Sequence, residues 1–436
     1  MTEARETSST YSVSDSKRLF ELDETVLRCP FPLYEVLRSE APVQFNERLG
    51  GYIVTRHDDI AEVLRDTETY SSAASSGPSS VTGLARKIAE DPSKPDELRR
   101  QAERRLKLSE SRVLLFTDPP LHKRQRVLVS AAFHPRRIAQ LEPAIRDLAN
   151  ELVDGFVDRD QVDLMREYSL PIPMTVIARL LGVPPELMGT FKRWSDAFTA
   201  GVGALDQSLE DQIKIFTAVD EFYDYFTEQL EQRRTEPRDD LLSDLVAARM
   251  DGEAPLTMDE MLQMLVQFLV AGNETTTTMI TTTATRLATD VELQHTLRAD
   301  RQLIKPFIEE MLRLESPVQG MFRNATRDTV LAGQQIEKDG TVFLSFGSAN
   351  HDPAAFDEPD TLMLDGDRPP HLAFSRGEHF CLGANLARLE LTVALDTLLT
   401  RFAEFRFSGD PQSIPVYRSF VFRGLTALPV TLTAAK

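Results

Sequence analysis

Apolar residues recur three and four apart over 138–156, 213–230, 258–287, 304–314 and 384–402, the period of helices that turn one face to a core. Each window predicts a helix. Runs that alternate or are rich in β-branched residues are short, at 51–55, 341–345, 419–422 and 430–432, and predict strands. The pattern therefore gives a mainly α fold with small β-sheets. The window 258–287 is unusual at its middle, where Ala271-Gly272-Asn273-Glu274 is followed by Thr275, Thr276, Thr277 and Thr278. Gly, Asn and Thr are poorer helix formers than Leu or Glu, so a local weakening of the helix is expected there, and with it a site.

Between the early strand region and residue 118 lies a long charged segment, about 75–112. Its composition predicts two short helices separated by Asp91-Pro92 and Lys94-Pro95, with Leu84, Ile88, Leu98 and Leu106 as inward-facing positions. Beyond residue 23 no Gly/Ser-rich or Pro-rich spacer and no repeat interrupts the chain, which predicts a single domain over 23–436. Residues 1–22 begin with a stretch rich in Ser, Thr and Glu and poor in apolar residues, and a loose arm is expected there.

Nothing near the start combines basic residues with an apolar stretch of signal length, and no run approaches the roughly twenty apolar residues of a membrane span. A cytoplasmic monomer without a membrane anchor is expected. Acidic residues outnumber basic ones by 19, so the mean field repels nucleic acid. Cys29 and Cys381 are the only cysteines, which fits a reducing compartment.

Cys381 has the more informative surroundings. It lies in Phe374-Ser375-Arg376-Gly377-Glu378-His379-Phe380-Cys381-Leu382-Gly383-Ala384, a loop that leads into the helical window 384–402. A cysteine at a helix N-terminus is favoured as thiolate, and so as a metal ligand or a nucleophile. Gly377 and Gly383 permit positive φ or the close approach of a flat group. Read alone, a lone cysteine is more often a small buried hydrophobe, and a cysteine hydrolase using Cys381 with His379 as base is a further possibility.

The loop resembles the haem loop of the cytochrome P-450 family, which has Phe, two residues, Gly, one residue, His, one residue, Cys, one residue and Gly; Phe374, Gly377, His379, Cys381 and Gly383 meet it. Ser375 departs from it, standing where the family usually has Gly. Other segments follow in the family's order. Glu310 and Arg313, three apart on a helix and followed by Pro317, match its structural Glu–Arg pair. Asp118-Pro119-Pro120-Leu121-His122-Lys123-Arg124-Gln125-Arg126 resembles its propionate-binding helix. Ala271 to Thr276 match its distal motif, and Ala349-Asn350-His351-Asp352-Pro353 the segment leading to its haem loop.

The resemblance implies the triangular helical prism of that family, enclosing haem b with Cys381 as iron ligand. It places His122, Arg126, Arg323 and His379 at the propionates, and Phe374, Gly377 and Gly383 around the haem. Glu274 and Thr275 become the proton relay and hydroxyl that serve dioxygen, the co-substrate. The reaction implied is a monooxygenation driven by electrons from outside the chain, from a ferredoxin or flavodoxin and its NAD(P)H-dependent reductase. Lys123, Arg124, Arg136, Arg137 and Arg376 are candidate docking charges. A peroxide-driven peroxygenase is the alternative within haem chemistry, and a haem sensor would not need Glu274 and Thr275. The apolar window 261–270 and Val318, Met321, Phe322, Phe420 and Val421 point to a lipophilic small-molecule substrate.

Overall fold

The computed structural model describes residues 11–73, 81–200, 208–366 and 368–435. Contacts gather the chain into two compact units. One holds 1–70, 135–173 and 274–436, the other 71–134 and 174–273, so the chain passes between them four times.

In the first unit the hairpin Val43–Asn46/Gly51–Val54 is extended by Thr341–Leu344, parallel to Gly51–Val54, and then by Met321–Ala325, antiparallel to Thr341–Leu344. Val54, Ile60, Leu64, Val342, Leu344 and Leu372 form a core on this sheet. The helix Ala384–Arg401 is packed against Glu142–Asp154 and Ile304–Leu314 and buries Leu391, Leu395 and Leu398 fully. In the second unit Asp96–Glu110 and Met188–Ala200 pack on Leu209–Thr235, with Trp194, Phe198, Phe222 and Phe226 as an aromatic core. The helix Met258–Thr289 is common to both units and opens on a capping box: Thr257 Oγ1 accepts the Glu260 N–H at 3.1 Å, and the Glu260 carboxylate accepts the Thr257 N–H at 2.9 Å.

Several sequence expectations need correction. The window 138–156 is two helices, Pro135–Ala139 and Glu142–Asp154, because Pro143 lacks an N–H and its ring clashes with the carbonyl of Ala139. Residues 419–422 are no strand: Ser419 Oγ accepts the N–H groups of Val421 and Phe422, each at 3.1 Å, and curls the backbone. The long helix is continuously α-helical through Gly272 and the threonines. Its later threonines bond back to carbonyls one turn earlier, Thr281 to Thr277 at 2.9 Å and Thr285 to Thr281 at 2.8 Å.

The arm expected over 1–22 is ordered from Tyr11 onward, since Tyr11, Leu19 and Phe20 are buried in a core with Leu33 and Phe343; residues 1–10 lie outside the described residues. The charged segment does form two helices, Val81–Glu90 and Asp96–Glu110, with Ile88 and Leu98 buried and Leu84 and Leu106 half-buried. Its first part, 74–80, lies outside the described residues.

Candidate active site around Cys381

The cysteine loop is shaped by its own backbone. Ser375 donates its N–H to Leu372 O at 2.9 Å and takes φ +58°, Gly377 takes φ +70°, and Gly377–His379 forms a single 3₁₀ turn. A Cβ on Gly377 would stand 3.2 Å from Leu64 O, so both the dihedral and the neighbour call for glycine. The Cys381 N–H donates to Phe374 O at 2.9 Å, and the helix begins three residues later at Ala384 with Gly383 as its N-cap. The thiol is half-buried, and a Cβ built on Gly383 meets no atom within 4 Å.

What fixes this loop is a pair of residues the sequence reading passed over. Arg388, one turn into the following helix, lies over the Phe374 ring at 4.6 Å and grips Glu309 with two parallel bonds of 2.6 and 2.8 Å. His371 accepts the Ala373 N–H at Nδ1, so Nε2 carries the proton and donates to Glu309 at 3.3 Å. Burial would raise the Glu309 carboxyl, yet Arg388 and His371 hold it down at about 2.

The expected Glu310–Arg313 pair is present, buried, and bidentate at 2.9 Å for both bonds. Arg313 also reaches the carbonyls of Asn350 at 3.0 Å and Thr361 at 3.0 Å. Asn350 in turn accepts the Leu372 N–H at 2.7 Å, just ahead of the cysteine loop. These bonds describe a scaffold beneath the loop.

On the long helix, Gln267, Val270, Ala271, Glu274 and Thr275 stay partly or fully exposed while Leu269, Asn273, Thr276 and Thr277 are buried. Their spacing of three and four makes one open stripe along an otherwise buried helix. Gly272 is not forced by close packing, since a Cβ there would meet Ile177 at an ordinary 3.6 Å. Glu274 faces Tyr417, whose hydroxyl is pushed up to about 12 by burial and by that carboxylate. One residue beyond Thr275, the Thr276 hydroxyl bonds Glu390 of the Ala384–Arg401 helix, a carboxyl that burial pushes up to about 8. Neither Tyr417 nor Glu390 carries a signal in the sequence beyond its type.

The remaining expected site residues fall on separate elements. Arg323 is a buried guanidinium in the Met321–Ala325 strand, opposite Val342, and donates to Phe322 O at 2.7 Å. His379, half-buried, closes the 3₁₀ turn before Cys381. His122, 1% exposed, and half-buried Arg126 lie one turn apart on Leu121–Ser130, in the second unit. Asp118 ahead of that helix accepts from Ser71 Oγ at 2.5 Å and the Ser72 N–H at 2.8 Å. Two expectations fail. Arg124 is bound to Glu260 at 2.8 Å and to two carbonyls, which withdraws it from any docking face. Phe322 is 1% exposed with its ring 5.0 Å from Phe343, which makes it a core residue, not a pocket wall.

A model of the cytochrome P450 family matches residues 187–421. Cytochrome P450 109 of Bacillus spizizenii is 34% identical over 93% of this chain and 92% of its own length. The vitamin D(3) 25-hydroxylase of Pseudonocardia autotrophica is 33% identical over 92% of this chain and 94% of its own. The structure of cytochrome P450 CYP109Q5 from Chondromyces apiculatus superposes with a TM-score of 0.80 at 37% identity, covering 95% of this chain and 98% of that one. The chain belongs to the cytochrome P450 family. It is a monooxygenase with the helical P450 fold, and haem is the cofactor of its family. The residues present fit such a group: a half-buried cysteine, open space over Gly383 two residues further on, a buried guanidinium at Arg323, and an open stripe of small and polar residues on the long helix. Among the described residues no helix is long and apolar enough to cross a membrane.

Proposed function

We propose that this P450 uses dioxygen to oxidise a lipophilic small molecule, with electrons from a ferredoxin or flavodoxin and its NAD(P)H-dependent reductase. The observation that carries the reading is the loop around Cys381, whose thiol is presented half-buried on a backbone fixed by the Phe374 carbonyl and by the Arg388–Glu309 fork. Haem b, held by the Cys381 sulfur, supplies the oxygen-activating chemistry. His122, Arg126, Arg323 and His379 would hold its propionates, for which buried or half-buried cationic and imidazole groups are the natural partners. Phe374, Gly377 and Gly383 would shape the surface beneath it.

Thr275 and Glu274 lie on the open stripe of the long helix, where the hydroxyl can donate toward bound dioxygen and the carboxylate can pass protons inward. That pair favours the dioxygen route over a peroxide-driven one. Lys123, Arg136 and Arg376 are exposed and Arg137 partly so, which puts their positive charge at the surface, where an acidic redox protein would meet it. The lipophilic substrate class is supported by the vitamin D(3) 25-hydroxylase among the relatives and by half-buried Val318, Met321, Phe420 and Val421. The chain's four passages between its two units support a single P450 domain over 23–436.

Reduction under carbon monoxide tests the ligand: a strongly red-shifted Soret band is expected, kept in Cys29→Ala and lost in Cys381→Ala. A normal band in the Cys381 variant overturns the assignment. Turnover with a reductase and ferredoxin, compared with turnover on hydrogen peroxide, then decides between the dioxygen route and the peroxide-driven one.

A further inference from the structure

The first unit contains a hollow of about 610 Å³ that the site around Cys381 does not use. Its walls are the last turns of the long helix, the end of the Ile304–Leu314 helix, the start of the chain near Phe31, and the loop around Val416 to Leu425. That volume suits a small organic molecule. Leu27, Met311 and Val416 give it a buried apolar floor.

The charges on its walls are unequal in how far they are committed. Arg423 is ion-paired with Glu315, and Asp360 lies 2.6 Å from His351 Nδ1, so those two carboxylates are occupied within the wall. Arg286 is different. Its ion partner is Asp290, one turn away at 3.1 Å, with both side chains about a third exposed, 33% and 36%. Pairs of that kind hold a guanidinium only weakly. The Arg286 Nε is buried without a hydrogen bond, and the half-buried Thr282 hydroxyl lies one turn back on the same helix, also on the wall. A guanidinium fork and a hydroxyl therefore stand together above an apolar floor.

We propose that this hollow is a second binding site, for an amphipathic organic anion whose apolar body lies on Leu27, Met311 and Val416 and whose carboxylate is held by Arg286 and Thr282. A planar carboxylate matches the guanidinium fork in two parallel bonds, whereas an alcohol of the same length offers one weaker contact. The site does not depend on the haem reading, because every residue in it lies away from the Cys381 loop in sequence and none is needed to hold the cofactor.

The test is equilibrium dialysis of the haem-loaded protein with labelled dodecanoate, after a tight azole has filled the haem side. One equivalent of dodecanoate should bind, with dodecanol at least about tenfold weaker. Arg286→Gln should weaken dodecanoate by about tenfold and leave dodecanol unchanged, with the carbon monoxide band and the melting transition intact as a check on folding. Leu314→Trp, which puts a bulky ring into the wall of the hollow and narrows it, should weaken binding of both. No dodecanoate bound in the azole-saturated protein, or equal affinity in Arg286→Gln, overturns the proposal. A protein that took up no haem would fail the P450 reading, yet would still bind dodecanoate at this site, so the two failures are distinguishable.

Discussion

Ser375 carries a side chain where the backbone would be better without one. Its φ of +58° lies in the left-handed region, and its hydroxyl is buried without a hydrogen bond. Left-handed backbone costs a residue with a Cβ about 1 kcal/mol or somewhat more relative to glycine. Ser375→Gly should therefore raise the stability of the haem-loaded protein by about 1 kcal/mol, read as a higher melting temperature; an unchanged or lower value would mean the serine is accommodated by its surroundings. Thr275 is a second case where one atom matters: Thr275→Ala should leave reductant consumption running while peroxide replaces oxidised product, and unchanged coupling would make it an ordinary helix residue. The departure at Ser375 was legible in the sequence, and so was each member of the cysteine loop. The Arg388–Glu309 fork was not, because the two residues are 79 positions apart and each looks like a surface charge until the helices are packed.

At the scale of elements, periodicity located the helices well where a core enforces it. Ile304–Leu314 and Ala384–Arg401 stand where the apolar spacing put them, whereas local chemistry decided the failures at Pro143 and Ser419. Propensity misjudged the long helix, since burial and threonine back-bonding outweigh the weak helix formers at its centre. The two helices of the charged segment were legible, but not their fastening. Arg104 reaches Asp224 at 2.6 Å, and buried Arg105 bonds Tyr223 Oη at 2.9 Å and Gln263 at 3.1 Å, clamping Asp96–Glu110 to Leu209–Thr235 and to the start of the long helix. Arg105→Ala should therefore speed hydrogen exchange across 96–110, and if these helices act as a lid over the substrate pocket it should also weaken lipophile binding several-fold, with haem content unchanged. Unchanged protection and affinity would reduce the helices to a fixed surface layer.

For the molecule as a whole, two carboxyls act on stability in opposite pH ranges. Glu309, held at about 2 by Arg388 and His371 against an ordinary 4.5, contributes stability above that ordinary value and loses it as acid approaches 2. Glu390 works the other way. It is 2% exposed and pushed up to about 8 by burial, so the folded chain keeps its proton where the unfolded chain, near 4.5, has released it. Its favourable contribution is complete below about 4.5 and declines by about 1.4 kcal/mol per pH unit until the folded group ionises near 8. Because Glu390 bonds the Thr276 hydroxyl, the decline falls on the junction between the Ala384–Arg401 helix and the long helix, beside Thr275. Glu390→Gln keeps a neutral polar group of nearly the same shape and cannot ionise. The variant should melt close to the wild type at pH 5, and the difference should widen in its favour up to about pH 8 and then level off. Parallel melting curves across that range would show that Glu390 is not the protonated partner of Thr276, and would return the pH dependence of this junction to the groups around it.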